Sequence, residues 1–373
     1  MGMNARERRG VLICGAYGHG NAGDEAILDA IVGQMRSLGG GLPITVLSRR
    51  PQETAARLGL PSLHTFHVPG FLSVMRRTKL YINGGGSLMQ DVTSRRSLWY
   101  YLFTLWAAKK CGCRVLMYGC GIGPVQRQSN RRLASRIING CVDAITLRER
   151  ESASELASWG VTRPEIILAS DPALTIAPAP DTELDSFFAA HGMDPAGRYI
   201  GFCLRRWPGF WEKASCFAEA ARRAYEVHGL TPVFLSINLR NDGEAADHVL
   251  EDLRDIPCHT VYDPLPASLA VGLLSRMSAV VSMRLHGLIF AAGQGMPLVA
   301  VSYDPKVAAF MDYIGQELCV PLDALEPGTL AALVDRAAAL APERERLREN
   351  ANALRATERR NLETAARLLD ISP

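Results

Sequence analysis

The sequence predicts an α/β fold of two Rossmann-like domains, each built on a parallel sheet, from three observations. First, 373 residues are enough for two domains with separate hydrophobic cores. Second, short apolar runs alternate with helical patterns in both halves, which is typical of parallel sheets covered by helices. Third, proline-containing breaks at 177–180 and 194–197 interrupt the alternation and indicate a linker. The predicted organisation is an N-terminal domain at 1–176, a linker at 177–197 and a C-terminal domain at 198–373.

In the first half, five apolar runs have the length and composition of buried strands. Four segments between them place apolar residues three and four positions apart, which is the spacing of one helix face. The predicted strands are Val11–Ala16, Ile44–Ser48, Leu80–Asn83, Val115–Tyr118 and Ala144–Leu147, and the predicted helices are Asp24–Leu38, Leu98–Cys111, Asn130–Cys141 and Glu149–Trp159.

The second half repeats this pattern and ends in a long segment rich in Ala, Leu, Glu and Arg, Pro342–Leu369, which predicts a terminal helix. Two similar halves joined by a linker resemble a glycosyltransferase-B-like arrangement with an interdomain cleft. The predicted strands are Tyr199–Leu204, Pro232–Ile237, Ala279–Ser282 and Leu298–Ser302, and the predicted helices are Trp211–Val227, Ala267–Leu274 and Arg284–Gln294.

The composition is that of a globular protein without general affinity for nucleic acid. Hydrophobic residues make up 48% and charged residues 21% of the chain, which excludes a disordered protein. The 41 basic and 38 acidic residues leave a net charge of +3, too small for a protein that must neutralise many phosphates. Nine cysteines are scattered, several within apolar runs and none at zinc-site spacing. We therefore expect reduced, buried thiols in a cytoplasmic protein, and no metal.

The most apolar segment, Leu98–Ala108, has eleven residues, whereas a membrane-spanning helix needs about 20. No signal peptide is expected, because Met1–Gly10 is polar and basic and the Val11–Cys14 run has only the length of a strand. We expect Leu98–Ala108 to form a buried helix; a surface that contacts a membrane is the alternative. The prediction is a cytoplasmic protein that is at most peripheral at the inner face of the membrane.

Three glycine-rich segments follow predicted strands of the first half, at 15–25, 84–91 and 119–124. Glycine permits tight turns and close approach of a ligand to the backbone. The first segment lacks the Gly-x-Gly-x-x-Gly spacing of dinucleotide-binding proteins, and no acid ends the second strand. These segments would share one edge of the sheet, with Asp24, Asp91 and Asp171 placed to contact hydroxyl groups. The N-terminal domain therefore suits a neutral, hydroxyl-bearing ligand.

The strands of the second half are followed by cations instead: Arg205, Arg284, His286 and Lys306. Parallel strands end on one edge, so these side chains should combine into a field that suits a small, dense anion. Arg284 and His286 also open the same predicted helix, whose N-terminus attracts anions. The alternatives are a buried salt bridge for Arg284 and a hydrogen-bonded core residue for His286.

Six blocks of residues stand out in order along the chain: Gly18-x-Gly20-Asn21-x-Gly23-Asp24-Glu25, Gly84-Gly85-Gly86-Ser87-Leu88-x-Gln90-Asp91, Gly119-x-Gly121-Ile122-Gly123-Pro124, Ser170-Asp171-Pro172-Ala173, Arg284-Leu285-His286 and Tyr303-Asp304-Pro305-Lys306. Together they resemble the polysaccharide pyruvyl transferase family, in its cell-surface-anchoring (CsaB-like) branch. The resemblance runs from about residue 11 to about residue 315. His19 stands where the family often has an aromatic residue, and Cys120 where it often has a polar one.

The resemblance implies an enzyme that transfers the three-carbon unit of phosphoenolpyruvate to a sugar as a cyclic ketal and releases phosphate. In the anchoring branch the sugar is an N-acetylmannosamine unit of a secondary cell-wall polymer, carried as a lipid-linked precursor, and the pyruvylated glycan holds surface-layer proteins. Phosphoenolpyruvate is then a co-substrate, with no cofactor or metal required. The implied partners are phosphoenolpyruvate and a lipid-linked sugar, and no nucleic acid.

The residue types support a mechanism for this reaction. Phosphoenolpyruvate carries roughly three negative charges near neutral pH, which Arg205, Arg284 and Lys306 match. A histidine has an ordinary pKa of about 6.5, so His286 is the candidate acid that protonates the methylene carbon. Asp24 or Asp91 would accept the proton of the attacking hydroxyl, and both remain candidates. The implied donor-binding residues are Arg205, Arg284, Leu285, His286 and Lys306, and the implied acceptor-binding residues are Gly18, His19, Asn21, Asp24, Glu25, Gly85, Gly86, Ser87, Gln90, Asp91 and Asp171.

Two other classes of function compete with this interpretation. A nucleotide-sugar glycosyltransferase of the same architecture would need a carboxylate for ribose in the second domain, and Asp304 keeps that alternative open. A non-catalytic glycan-binding protein would be expected to display aromatic platforms. Aromatic residues make up only 7% of the chain, and none of the five tryptophans lies in the glycine-rich segments.

Overall fold

The computed structural model of the protein describes residues 8–39, 41–92, 94–239 and 242–371. These residues form two compact units. The first unit comprises the described parts of 8–19, 24–172 and 355–371, and the second comprises those of 20–23 and 173–354.

The sheet of the first unit has seven strands, all parallel to their neighbours. They are β1 (Val11–Cys14), β2 (Ile44–Ser48), β3 (Ser62–His64), β4 (Leu80–Met89), β5 (Arg114–Ile122), β6 (Ala144–Leu147) and β7 (Glu165–Leu168). The strand order is β3-β2-β1-β4-β5-β6-β7, so the chain reverses its direction of travel at β1 and β4. In parallel α/β sheets, ligands bind beyond the carboxyl ends of the strands at such a reversal.

Helices alternate with these strands, and local capping signals mark several of their ends. Helix α4 begins after Ser94, whose hydroxyl accepts a hydrogen bond from the Ser97 N–H at 3.2 Å. Helix α2 ends at Gly59, which has the left-handed conformation (φ 63°) that favours glycine. The helices are α1 (Ala22–Ser37), α2 (Pro51–Leu58), α3 (Val68–Met75), α4 (Arg95–Lys110), α5 (Gln128–Cys141) and α6 (Arg150–Ser158).

The sheet of the second unit has six parallel strands in the order β10-β9-β8-β11-β12-β13. The strands are β8 (Tyr199–Cys203), β9 (Thr231–Leu235), β10 (His259–Val261), β11 (Met277–Ser282), β12 (Leu298–Ser302) and β13 (Cys319–Pro321). The helices are α7 (Asp181–Ala190), α8 (Ala214–His228), α9 (Gly243–Leu250), α10 (Ala267–Ser275), α11 (Leu285–Ala292), α12 (Pro305–Tyr313), α13 (Thr329–Ala339) and α14 (Arg344–Leu369).

The last part of α14, from residue 355 onwards, belongs to the first unit. Gln34 donates its amide N–H groups to both carboxylate oxygens of Glu358, each at 2.8 Å. Asn361 donates to the Ser170 carbonyl at 3.0 Å, and the hydroxyls of Ser170 and Thr357 lie 2.6 Å apart. Burial raises the pKa of Glu358, although Gln34 and Asn361 act against this. The end of the chain is therefore an integral part of the first unit.

The structure differs from the sequence prediction in its boundaries. The segment predicted as a linker, 177–197, contains α7 and belongs to the second unit, where the Ala179 N–H donates to the Ser268 carbonyl at 2.9 Å. All nine predicted strands are present, and four short strands at 62–64, 165–168, 259–261 and 319–321 were not predicted. Among the residues that the structure describes, no helix is both long and apolar enough to cross a bilayer.

Candidate functional site

In the first unit, the loop after β1 is held against the ends of β2 and β4. The Tyr17 hydroxyl donates to the Gly84 carbonyl at 3.0 Å, and the Gly18 N–H donates to Glu25 Oε1 at 2.7 Å. The other Glu25 oxygen is paired with Arg57 at 2.6 Å. Burial raises the pKa of Glu25, although the Gly18 N–H and Arg57 act against it. Of the predicted acceptor residues, Gly18 and Glu25 therefore shape the loop, while His19 is an exposed side chain on it.

Gly85 and Gly86 lie inside β4, whereas the sequence predicts them after it, and they bring the backbone close to the beginning of α1. Gly85 has φ +56°, and a Cβ atom there would lie 2.0 Å from Cγ2 of Ile27. Gly86 has φ +69°, and a Cβ atom there would lie 3.2 Å from Oδ1 of Asp24. Both positions require glycine for conformational and steric reasons. The Asp24 carboxylate thus lies beside the Gly86 backbone at the carboxyl edge of this sheet.

Asp91, a predicted base, is a buried hydrogen-bond acceptor. Its carboxylate accepts hydrogen bonds from the backbone N–H groups of Gln126 at 2.7 Å and Arg127 at 3.3 Å, and from the Asn130 amide at 2.7 Å. Burial acts to raise the pKa of Asp91, but these three donors outweigh it and the pKa is lowered. A carboxylate held in this way is a weak base, which favours Asp24 over Asp91 for accepting a proton. Gln90 precedes it as a half-buried residue.

Arg148 joins two of the predicted acceptor residues and was not predicted. Its buried guanidinium lies 2.8 Å from Oδ2 of Asp171 and donates to the Ser87 hydroxyl at 3.1 Å. Oε2 of Glu149 lies 3.0 Å from Nε of Arg148 and completes the cluster. Burial disfavours the charged guanidinium, but the two carboxylates outweigh that effect and raise the pKa of Arg148. Its position directly after a strand, Ala144–Leu147, is the sequence signal that would have found it.

In the second unit, the predicted cations follow β8, β11 and β12, which are adjacent in the sheet. Arg284 precedes α11 and is buried, with its Nε donating to Oδ1 of Asp242 at 2.9 Å. The other Asp242 oxygen accepts backbone hydrogen bonds from Ile237 at 2.9 Å and Asn238 at 2.7 Å. The salt bridge considered as the alternative for Arg284 is therefore present. Lys306 is likewise paired with Asp304, at 2.8 Å.

Arg205 differs from these two cations because it stacks on aromatic rings. Its Cζ lies 4.7 Å from the ring centroids of both Trp207 and Tyr303, and one terminal nitrogen donates to the Tyr303 hydroxyl. Among the described residues no carboxylate is paired with Arg205, and its buried Nε has no hydrogen-bond partner. The positive field at this edge of the sheet therefore rests mainly on Arg205.

Trp207 and Tyr303, the two rings on which Arg205 stacks, also line a groove of about 620 Å³. The charged side chains of its wall are one cation, Lys213, and three acids. A groove of this size is large enough for a small organic ligand. The acids are Glu212, Asp304 and Asp323, and the remaining lining residues are Pro208, Gly209, Ser302, Pro305, Pro321 and Leu322.

His286 lies in the first turn of α11, half-buried, next to the buried Leu285. Its ring packs against Gly23: a Cβ atom on Gly23 would lie 2.1 Å from Nδ1 of His286. The second unit holds residues 20–23 through the Ala22 N–H, which donates to the Ile237 carbonyl at 2.8 Å. Asn21, predicted as an acceptor residue of the N-terminal domain, therefore belongs to the second unit, near His286.

Comparison with known proteins identifies a family. The family model described as polysaccharide pyruvyl transferase matches residues 21–305. A curated relative, the amylovoran biosynthesis protein AmsJ of Erwinia amylovora, is 22% identical across 87% of this chain and 91% of its own length.

Solved structures with the same fold include a glycosyltransferase from Rickettsia africae, with a TM-score of 0.64 at 11% identity, covering 98% of this chain and 100% of the other. The Anabaena protein HepE, solved in complex with UDP and glucose, has a TM-score of 0.62 at 10% identity, covering 96% of this chain and 100% of its own. At such identities the likeness shows the fold alone. The predicted class, two Rossmann-like domains with parallel sheets in a glycosyltransferase-B-like fold, is confirmed.

Proposed function

The chain belongs to the polysaccharide pyruvyl transferase family, and from this premise we propose that it transfers the enolpyruvyl unit of phosphoenolpyruvate to a sugar as a cyclic ketal, with release of phosphate. The observation that carries the proposal is the Arg205 guanidinium, which has a buried Nε without a partner and is stacked on two rings that line a groove. A guanidinium of this kind suits the carboxylate or phosphate of phosphoenolpyruvate.

The other donor residues add to this anion site without dominating it. Arg284 and Lys306 form ion pairs with Asp242 and Asp304, so each contributes less than a full unpaired charge. The N-terminus of α11 adds the partial positive charge of its first backbone N–H groups. In this proposal Arg205 carries most of the donor affinity, and the two paired cations orient the donor.

His286 acts as the general acid in this mechanism. It protonates the methylene carbon, so the neighbouring carbon develops oxocarbenium character and a sugar hydroxyl bonds to it. In this proposal Asp24 accepts the proton of that hydroxyl. A second sugar hydroxyl then displaces phosphate and closes the ketal ring; its proton passes to the neutral His286, which restores the acid, and the proton held by Asp24 leaves with the phosphate. Fixed positive charge near the departing phosphate stabilises that step.

We further propose that the acceptor is the N-acetylmannosamine unit of a lipid-linked precursor of a secondary cell-wall polymer, modified in the cytoplasm. The resemblance of the six sequence blocks to the cell-surface-anchoring branch supports this acceptor. The glycine-lined edge of the first sheet, with Asp24 beside the Gly86 backbone and Ser87 and Asp171 bonded to Arg148, suits a neutral ligand rich in hydroxyl groups.

The test combines phosphoenolpyruvate with a lipid-linked N-acetylmannosaminyl acceptor and measures released phosphate and the mass of the ketal. Arg205→Met should raise the KM for phosphoenolpyruvate roughly 10- to 100-fold, because a charged contact is lost. The matched control is Arg206→Met, since Arg206 is half-exposed and paired with Glu244 at 2.7 Å; its kinetics should not change.

Two results would overturn the proposal. One is equal KM values for the Arg205 and Arg206 variants, with both variants as thermally stable as the parent protein. The other is a rise in melting temperature with UDP and none with phosphoenolpyruvate, which would make the protein a nucleotide-sugar glycosyltransferase instead.

A further inference from the structure

Helix α4 presents an outer surface of aromatic and basic side chains that the proposed chemistry does not use. Trp99, Phe103 and Trp106 are 49%, 37% and 42% exposed, although large apolar side chains of a helix normally face the core. At 3.6 residues per turn, they share an arc of about 100° with three exposed cations. We call these six residues the α4 face: Arg95, Arg96, Trp99, Phe103, Trp106 and Lys110.

The aromatic side chains of the α4 face are held outward by defined contacts. Trp99 donates its indole N–H to the Asn130 amide oxygen at 3.1 Å, so the part of its ring left in solvent is apolar. Phe103 packs between Phe71 and Trp106, with ring centroids 6.4 and 6.1 Å away. The opposite side of the helix is filled by buried leucines of the core. The exposure of these aromatic side chains is therefore a property of the folded first unit.

Other exposed apolar side chains lie in the segments of the chain on either side of α4. Of the ten large hydrophobic side chains exposed among the described residues, six lie between positions 66 and 133. Phe66, the most exposed of them at 59%, contacts Tyr100 of α4 with ring centroids 5.4 Å apart. Clustered exposed apolar side chains such as Phe103 and Trp106, which pack on each other, mark a site of interaction with a protein or a membrane. The six are Phe66, Val92, Trp99, Phe103, Trp106 and Leu133.

The charge near the α4 face distinguishes between a protein and a membrane as its partner. Residues 54–142 contain thirteen Lys and Arg and a single acid, the buried Asp91. Five of these cations form ion pairs with acids outside the segment, whereas Arg95, Arg96 and Lys110 of the α4 face form none among the described residues. A second copy would place like charge against like charge at this surface, which disfavours a symmetric dimer. An anionic bilayer complements the positive charge and also accepts aromatic rings at its interface.

We propose that the α4 face is a docking surface for a bilayer that contains anionic phospholipid. The aromatic side chains enter the interfacial region while Arg95, Arg96 and Lys110 contact lipid phosphates. The helix then lies along the membrane plane without crossing it, as an amphipathic helix with aromatic and basic residues does. Binding depends on two contributions, apolar burial and charge, so losing either one weakens it.

The test is flotation of the purified protein with phosphatidylcholine vesicles, with and without phosphatidylglycerol. Binding is expected only with phosphatidylglycerol, and it should fall as salt is added. The double variant Phe103→Ser/Trp106→Ser should lower the partition coefficient at least roughly tenfold. The matched control is Trp211→Ser, because Trp211 is also exposed, at 43%, but lies in the second unit; its binding should equal that of the parent protein.

A second variant separates docking from folding, because it leaves the packing of the aromatic rings unchanged. Lys110→Gln should lower the partition coefficient roughly fivefold with an unchanged melting temperature. The proposal is overturned if the parent protein does not float with either vesicle, or floats equally with both. It is also overturned if the α4-face variants float like the parent, or if the parent forms a dimer or binds RNA through this face and ignores vesicles.

Discussion

The contact between Gly23 and His286 allows the proposed general acid to be displaced without being changed. In Gly23→Ala the new methyl group would lie 2.1 Å from Nδ1 and 2.3 Å from Cγ of the imidazole. Ordinary contact begins at 3.4 Å, so the ring or the backbone must withdraw by about 1.3 Å. A misplacement of about 1 Å at a reacting group can cost about 100-fold in rate.

We therefore expect Gly23→Ala to lower kcat about 100-fold. Removal of the acid itself, in His286→Ala, is expected to lower kcat by about 10²- to 10⁴-fold. The matched control is Gly33→Ala in the same helix, where an added Cβ meets nothing within 4 Å. That variant should keep its activity and gain about 0.5–1 kcal/mol of stability, because alanine favours helix.

Phosphate release measured for the two single variants and the double variant tests how Gly23 acts. If Gly23 acts only by positioning the ring, adding Gly23→Ala to His286→Ala should have no further effect on kcat. The reasoning is refuted if Gly23→Ala has the turnover of the parent protein. A further loss in the double variant would equally contradict it, because Gly23 would then act through another group.

Two further predictions concern Asp91 and Arg148, whose contacts in the structure indicate that they stabilise the fold. Asp91→Asn should lower the free energy of unfolding by about 1.5–3 kcal/mol at neutral pH. The folded-state pKa of Asp91 is lowered, so its stabilisation is present above the unfolded pKa and is lost as the pH falls through the folded pKa. Denaturant unfolding from about pH 7 to about pH 3 should show the difference from the parent protein shrinking; lost turnover with unchanged stability would instead make Asp91 the base. Arg148→Met should destabilise by about 3–5 kcal/mol, because Asp171 and Glu149 lose their buried counter-ion, and a change in thermal unfolding equivalent to less than about 1 kcal/mol would contradict this role.

The apolar beginnings of the central strands were predictable from sequence because they are continuous apolar runs buried on both sides. The glycine-rich continuations of β4 to Met89 and of β5 to Ile122 were predicted as loops, and that prediction was wrong. The four strands that were not predicted have three or four residues and are only partly buried, so they lack the continuous apolar run that marks β1 and β6. The segment at 177–197 was interpreted as a linker because prolines flank it. Its short helix packs on the second unit through Leu184, whose side chain lies where a Cβ atom on Gly272 would be, and such a contact between distant residues leaves no local signal.

The candidate site was predictable in placement but not in pairing. Because parallel strands end on one edge, Arg205, Arg284 and Lys306 were expected on neighbouring strands, and the strand order agrees with this. The ion-pair partners of these cations could not be predicted from the sequence, since Asp242, for example, lies 42 residues from Arg284 in the chain. The close approach of Gly23 to His286 also depends on the folded second unit, although both residues stood in the blocks that carried the resemblance.

The location of the last seventeen described residues, 355–371, constrains how the polypeptide matures on the ribosome. The first unit cannot assemble in full as soon as its sheet has been synthesised. At that stage the hydrogen-bond partners of Gln34 and of the Ser170 carbonyl, Glu358 and Asn361, have not yet been translated. The second unit, whose residues are contiguous from 173 to 354, is translated completely before those partners emerge. A fragment that ends at residue 172 would keep all seven strands of the first sheet and yet lack the helix that covers these polar groups.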